Sequence, residues 1–351
     1  MTTFYSELSS NAQTAYAQLL DVALSTEHFR SVADLPGAFA FKMVKGHKYW
    51  YFQYTEPSGK LKQVFVGPDS DEVKSLMSKK LDSAISAQLQ PLAASAVALG
   101  CGEILPKHIR VVSRLAEYGF FSAGGVLVGT HAFQAYGNML GVQWGDSSRT
   151  QDIDFAHAGK SISLVLPSNI EVNTHDAINS LGMGLLPISG LSSKAGASYL
   201  SPKDPSFRLD FLTTLHRGFE DIYQHPKLNI SLQPLKFMEF SLEQIQRAVL
   251  FNKEGAVVVN LPHPARYALH KLIVYGEREG AFVAKASKDL IQAASLLKLL
   301  GERRPWDIEE AWTDLKGRGK GWVTRFNRGL AALHLAHPAC LQKSGSIFNT
   351  I

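Results

Sequence analysis

Two aspartates stand one residue apart in Asp152-Ile153-Asp154, and a third stands in Phe207-Arg208-Leu209-Asp210-Phe211. On a strand, residues i and i+2 share a face, so Asp152 and Asp154 would present two carboxylates together. Such a pair repels itself unless a cation lies between the two. A divalent ion with a hard-oxygen preference, Mg2+ or Mn2+, is the natural partner. Asp210 lies between apolar residues on a second expected strand, an expensive place for a lone charge. Beside the first strand it would complete a three-carboxylate cage for two ions ~3.5–4 Å apart, a geometry suited to in-line displacement at phosphorus. Arg208 shares a face with Asp210; it either pairs with that carboxylate or neutralises a triphosphate.

Upstream, Gly124-Gly125 leads into the apolar run Val126-Leu127-Val128, and Gly129-Thr130 follows at an expected strand-to-helix turn. A glycine there lets backbone approach a phosphate, and the free N–H groups of the helix start face it. The Thr130 hydroxyl adds one more hydrogen bond.

The elements that must hold these residues read as follows. Residues 1–30 are helical by their three- and four-residue apolar steps. Lys48–Tyr54 and Leu61–Val66 form a hairpin around the turn Glu56-Pro57-Ser58-Gly59, and Ser70–Leu99 is helix again. Helices over Pro106–Tyr118 and His131–Leu140 interleave with strands at Ile153–Ala156, Ile162–Leu166 and Phe207–Leu212. That alternation predicts an α/β or α+β sheet domain. A second hairpin, Ala248–Phe251 with Ala256–Asn260, precedes helices starting at Pro264 and at Ala284. Three regions follow: a helical and β-hairpin module over 1–100, a core over 101–235 and a mostly helical region over 236–351.

Across 351 residues, 45% are hydrophobic and 19% charged, which excludes disordered, collagen-like and coiled-coil chains. No run approaches the ~18 apolar residues of a membrane span, and the N-terminus shows no basic-then-apolar leader pattern. Two cysteines are too few for a disulfide framework or a cysteine zinc site. The expectation is a soluble, cytoplasmic protein without a membrane partner. A net charge of +5 hints at a polyanion only if the basic residues cluster.

Gly-Thr at a helix start, Asp-x-Asp on a strand and a single strand Asp together resemble the DNA polymerase β-like nucleotidyltransferase superfamily. Within it, Arg149-Thr150-Gln151-Asp152-Ile153-Asp154 is similar to the metal motif of the AbiEii-type branch. The resemblance spans roughly residues 105–300. It implies a mixed sheet flanked by helices and a Mg2+-dependent transfer of NMP from an NTP to an acceptor hydroxyl. Asp152, Asp154 and Asp210 would be the metal-holding catalytic residues. Gly129, Thr130, Arg149, Arg208, a helical Lys271 and the downstream acidic Asp289 would form the nucleotide pocket. It further implies a toxin of a toxin–antitoxin or phage-defence pair, with a cognate antitoxin as partner. Lys285 and Asp289 also read as a plain i,i+4 surface pair. The segment Tyr136–Ser148 is longer than the superfamily's usual spacing, Gly-rich, and carries an exposed-looking Trp144.

The first hairpin interleaves Lys45, Lys48, Lys60 and Lys62 with Tyr49, Trp50, Tyr51 and Tyr54. Lysines can hold phosphates while aromatic faces stack on bases, so an RNA acceptor, tRNA first, is an expectation. A protein hydroxyl or a small molecule is the alternative acceptor, and a non-catalytic nucleic-acid-binding protein on a degenerate domain is the rival reading.

Overall fold

A computed structural model of the chain describes residues 3–29, 37–56, 59–71, 73–74, 77, 83–145, 152–158, 173–188, 196–215, 222–226, 228–277 and 283–348. The chain opens with strand β1 (Tyr5–Glu7) and helix α1 (Ser10–Phe29). Three strands follow, β2 (Gly37–Val44), β3 (His47–Thr55) and β4 (Leu61–Pro68), then α2 (Ser83–Ala98). The expected hairpin therefore supplies two of the three strands of an antiparallel sheet. Lys45 and Gly46, both at positive φ (50° and 79°), make the tight turn that adds β2. Leu8, Ala12, Tyr16, Leu19 and Ala23 form the buried stripe that packs α1 against α2 and a later hairpin.

The middle of the chain contains α3 (Pro106–Glu117), β5 (Val126–Val128), α4 (Gly129–Leu140), β6 (Val142–Trp144) and β7 (Asp152–His157). Then come α5 (Thr174–Asn179), β8 (Leu186–Pro187), β9 (Ser198–Ser201), β10 (Asp204–Thr214), β11 (Tyr223–His225) and β12 (Ile230–Leu235). The strand expected at 162–166 lies outside the described residues. In its described part the long segment Tyr136–Ser148 is helix and strand, its first residues closing the helix expected over His131–Leu140. The helix runs on to Leu140 and is stopped by Gly141 in the left-handed conformation (φ 74°), and β6 then pairs with β1. Trp144 stacks on Phe133 at 4.6 Å and donates Nε1–H to the Phe133 carbonyl at 2.6 Å, so it is a packing residue rather than an exposed one.

The central sheet runs β11-β12-β10-β7-β5. Strands β7 and β12 are parallel to β10, while β5 is antiparallel to β7. Strand β9 lies antiparallel along the first half of β10, with β8 beyond it. Period-2 alternation divides the two central strands cleanly. Ile153, Phe155, Leu209 and Phe211 are fully buried on one face, with Phe155 stacked on Phe211 at 5.1 Å. Asp152, Asp154 and Asp210 take the other.

The C-terminal part opens with α6 (Met238–Leu242), the hairpin β13 (Ile245–Asn252)–β14 (Gly255–Pro262), α7 (Pro264–Glu277) and α8 (Val283–Arg303), of which α6, α7 and α8 lie over that second face. It continues through α9 (Pro305–Gly317), α10 (Lys320–Ala336) and α11 (Gly345–Phe348). Helices α7 and α10 cross in near backbone contact: a Cβ on Gly329 would sit 2.2 Å from the Leu272 carbonyl oxygen. One hydrophobic cluster extends from Phe4 through the sheet to Phe348. Among the described residues no helix is long and apolar enough to cross a membrane.

Candidate active site

Strand β5 ends at Val128 without a capping side chain, and α4 begins at once with Gly129 at φ 63°. Val128 pairs with Asp154, and Asp154 pairs in parallel register with Asp210. The turn therefore sits directly beside the carboxylates. A Cβ on residue 129 would fall 2.0 Å from Asp154 Oδ2, so only glycine lets that carboxylate lie against the helix start. Negative charge at a helix N-terminus is stabilised by the aligned peptide dipoles.

These residues open into a pocket of about 250 Å3. Gly129, Thr130, Asp152, Asp154 and Asp210 form its floor, and Tyr267, Lys271, Lys288 and Asp289 from α7 and α8 form its roof. Sequence reasoning named Lys271 and Asp289 from the resemblance, and the structure brings both to the aspartates. Asp289 is buried and accepts a 2.6 Å hydrogen bond from Lys271 Nζ, so its recorded partner is Lys271 on the facing helix; the Lys285 side chain lies outside the described ones. Arg208 Nε donates to Asp210 Oδ1 at 2.8 Å, which realises the ion-pair reading of that arginine. Arg149 lies outside the described residues.

Four aspartates against two lysines leave this pocket rich in negative charge. The Lys288 ammonium is pushed below its usual value by burial and by Lys271, against the opposing pull of Asp154, Asp152 and Asp289. A polyphosphate would meet repulsion here unless further cations entered with it. The hard-oxygen donor set suits Mg2+ or Mn2+, and the missing Cβ at Gly129 leaves the Asp154 carboxylate room to turn. Among the described residues, no three His, Cys, Asp or Glu side chains stand together as a ready-made cage. Asp210 is held by Arg208 and Ser198, and Asp289 by Lys271.

Three residues at or behind the pocket wall escaped sequence reasoning as parts of the site. Tyr267, with its hydroxyl 2.9 Å from the Gly129 carbonyl oxygen and 2.8 Å from Gln292 Oε1, ties α7 and α8 to the turn. Gln292 reaches Thr130 Oγ1 at 3.4 Å. Lys288 is the third. The available signal was polarity on one side of α8, where Lys288, Asp289 and Gln292 fall within about one turn of each other, and Gln292 is fully buried. Two histidines near the motif have packing roles. His131 and His108 share a 2.9 Å contact in the core, and burial lowers their pKa values to about 3 and about 4. His157 faces away from the aspartates, buried against the Ala123 carbonyl.

The basic and aromatic residues of β2–β4 do not line the pocket. Lys48 Nζ lies over the rings of Phe41 (4.4 Å) and Trp50 (4.3 Å), and the Trp50 indole donates to Asp69 at 2.7 Å. Lys62 is paired with Glu56 at 2.5 Å. Lys45 sits in the β2–β3 turn, and Lys60 just before β4. The sheet's opposite face groups Tyr49, Tyr51 and Phe65, with Lys42 Nζ 4.7 Å from the Tyr51 ring centre.

Residues 106–316 match the nucleotidyltransferase family, and the chain belongs to it. The matched span runs from α3 through α9 and contains every pocket residue named above. Among solved structures, an antigenic nucleotidyltransferase-like protein from Paracoccidioides brasiliensis aligns at 13% identity and a TM-score of 0.31, over 65% of this chain and 95% of its own. That likeness is too slight to carry an inference. No curated protein matches the sequence.

Proposed function

We propose that the chain is a divalent-metal-dependent transferase that moves NMP from an NTP to an acceptor hydroxyl, RNA first among acceptors. One observation carries the reading: three strand aspartates, a glycine-only strand-to-helix turn and two lysines line a single pocket within the family-matched span. Asp152 and Asp154 would hold Mg2+ or Mn2+, which supplies charge neutralisation at the phosphates. Lys271, Lys288 and the N–H groups after Gly129 orient the triphosphate. The acceptor oxygen attacks the α-phosphorus, pyrophosphate leaves, and Asp210 takes the hydroxyl proton. Catalysis on this reading is mostly positioning and charge complementarity.

The test incubates the protein with each labelled NTP, Mg2+ and total cellular RNA or protein, and follows which species takes up label. Mg2+ with the right NTP should also raise the melting temperature by mass action, worth about 2.7 kcal/mol at a hundredfold excess over Kd. Asp152→Ala/Asp154→Ala should stay folded, since it removes a carboxylate repulsion, yet lose both label transfer and the shift. A shift unchanged in that variant would sink the assignment. The toxin reading carried by the AbiEii resemblance requires growth arrest on expression, relieved by a neighbouring gene's product and absent for the double variant.

A further inference from the structure

Ser198 presents a hydroxyl to Asp210, the carboxylate that the reading above makes the proton acceptor. Register places Asp154, Asp210 and Ser198 in one row across β7, β10 and β9, with Asp210 opposite both neighbours. Paired residues of adjacent strands project to the same face, so the serine joins the aspartates. Its Oγ–H donates to Asp210 Oδ1 at 2.5 Å. Arg208 bridges the two, with Nε 2.8 Å from Asp210 Oδ1 and a terminal nitrogen donating to Ser198 Oγ at 3.0 Å. Ser198 is only partly buried. A hydroxyl bonded to a carboxylate that can receive its proton, beside a guanidinium, is the arrangement an activated nucleophile needs. Ser198 itself stands beside the pocket wall, reached through Asp210; Ser241 and Thr130 line the pocket but are buried, and Ser198 is the hydroxyl bonded to Asp210.

We propose that Ser198 is an internal acceptor, and that the protein transfers NMP to its own Ser198 hydroxyl. This rests on the nucleotidyl-transfer reading above. The Ser198 Oγ–Pα bond forms and the bond from Pα to the bridging oxygen of the β-phosphate breaks. Pyrophosphate departs with that electron pair, and the hydroxyl proton passes to Asp210 and then to water. Because the adduct would sit on Asp210, it would cover the acceptor side of the pocket. Transfer to an external hydroxyl should therefore decline as modification accumulates.

The experiment incubates the full chain with Mg2+ and each of the four NTPs, and follows intact mass and the tryptic peptide 195–203. The expected result is a gain of one nucleoside monophosphate per chain, localised to Ser198. Ser198→Ala should lose it, Ser198→Thr should carry it on the new hydroxyl, and Asp210→Asn should lose it while keeping the NTP-induced melting shift. An unmodified wild-type chain that nevertheless shows that shift or labels added RNA overturns the inference and leaves the transferase reading standing. Label on Ser201, Ser241 or Thr130 overturns it too. A chain that neither binds NTP nor labels any acceptor overturns both.

Discussion

The pocket under α7 and α8 and the sheet β2–β4 use the same two residue classes, bases and alternating strand residues, in opposite ways. In the pocket Lys271 holds Asp289 and is mostly buried, while Arg208 holds Asp210 from the exposed side of the strand. On the sheet, Lys42 and Lys48 lie over aromatic rings, and Phe41, Met43 and Phe65 are exposed beside them. The first arrangement fixes charges at set positions in a partly desolvated cleft, where each is worth more than in water. The second leaves its bases in solvent, where they add long-range attraction for a polyanion but little geometry. Chemistry is expected from the pocket and affinity from the sheet.

Two matched glycine substitutions test that division most severely. Gly129 and Gly46 both have positive φ, but only at Gly129 does an added Cβ meet anything, Asp154 Oδ2 at 2.0 Å. Gly129→Ala must displace the carboxylate, and a shift of about 1 Å at a reacting centre costs on the order of 10²-fold in rate. Gly46→Ala should cost only left-handed backbone strain, roughly 1–2 kcal/mol, and leave transfer to a minimal acceptor as it was. Equal losses of transfer in the two variants would erase the distinction. Next in size is Asp210→Asn, which keeps the shape but removes the proton acceptor. Transfer should fall by at least an order of magnitude, about 1.4 kcal/mol of barrier, with NTP affinity changed much less. Parallel losses would make Asp210 a nucleotide-positioning residue.

The sheet's chemistry was legible because period 2 is local: the spacing of Asp152 and Asp154 gives their shared face without knowing any neighbour. That Asp210 lies beside Asp154 could be read only as a condition, from a charge on an apolar strand, and was sharpened by resemblance, since register between distant strands is a long-range fact. What closes the pocket was least legible. The Lys271–Asp289 contact joins two helices, whereas sequence spacing alone offered Lys285 as the obvious partner for Asp289. Arg318 shows the same limit. Its run Lys316–Lys320 reads as a basic loop, but the guanidinium is engaged by Glu243 and Asp314. The end of α4 at Leu140 matches the expected helix His131–Leu140, although Gly137 and Gly141 look alike in sequence and only Gly141 has positive φ. Gly137 stays helical under Trp144, whose Nε1 would lie 3.1 Å from an added Cβ.

Tyr267 supplies a smaller effect. Its hydroxyl bridges the Gly129 carbonyl and Gln292 inside the core, and burial followed by the charges of Asp289 and Asp154 holds the phenol well above its usual pKa, hence neutral. Tyr267→Phe keeps the ring and removes one hydrogen-bonding group, worth roughly 0.5–1.5 kcal/mol. Transfer should fall a few-fold through kcat at nearly constant KM, because the turn loosens while the lysines stay. A pure KM effect would place Tyr267 on the nucleotide instead.

The smallest effect on transfer belongs to the sheet, where substitutions should leave reaction with a minimal acceptor unchanged and alter only RNA binding. Each phosphate contact on a single strand adds about 0.7 to the slope of log affinity against log salt. Removing Lys45, Lys48, Lys60 and Lys62 together should lower that slope by less than four such contacts, because Lys62 already holds Glu56 and Lys48 already lies on two rings. A stacked base is worth roughly 1–3 kcal/mol. Each ring has a lysine over it, but the Trp50 indole is also committed to Asp69, whereas Tyr51 stands with Tyr49 and Phe65 on the other face, so Tyr51→Ala should cost more than Trp50→Ala. The measurement is a salt titration of RNA binding for wild type and the three variants. Coincident curves would make β2–β4 a packing element, and the acceptor would then have to be recognised at the pocket mouth, where a protein hydroxyl fits as well as an RNA end.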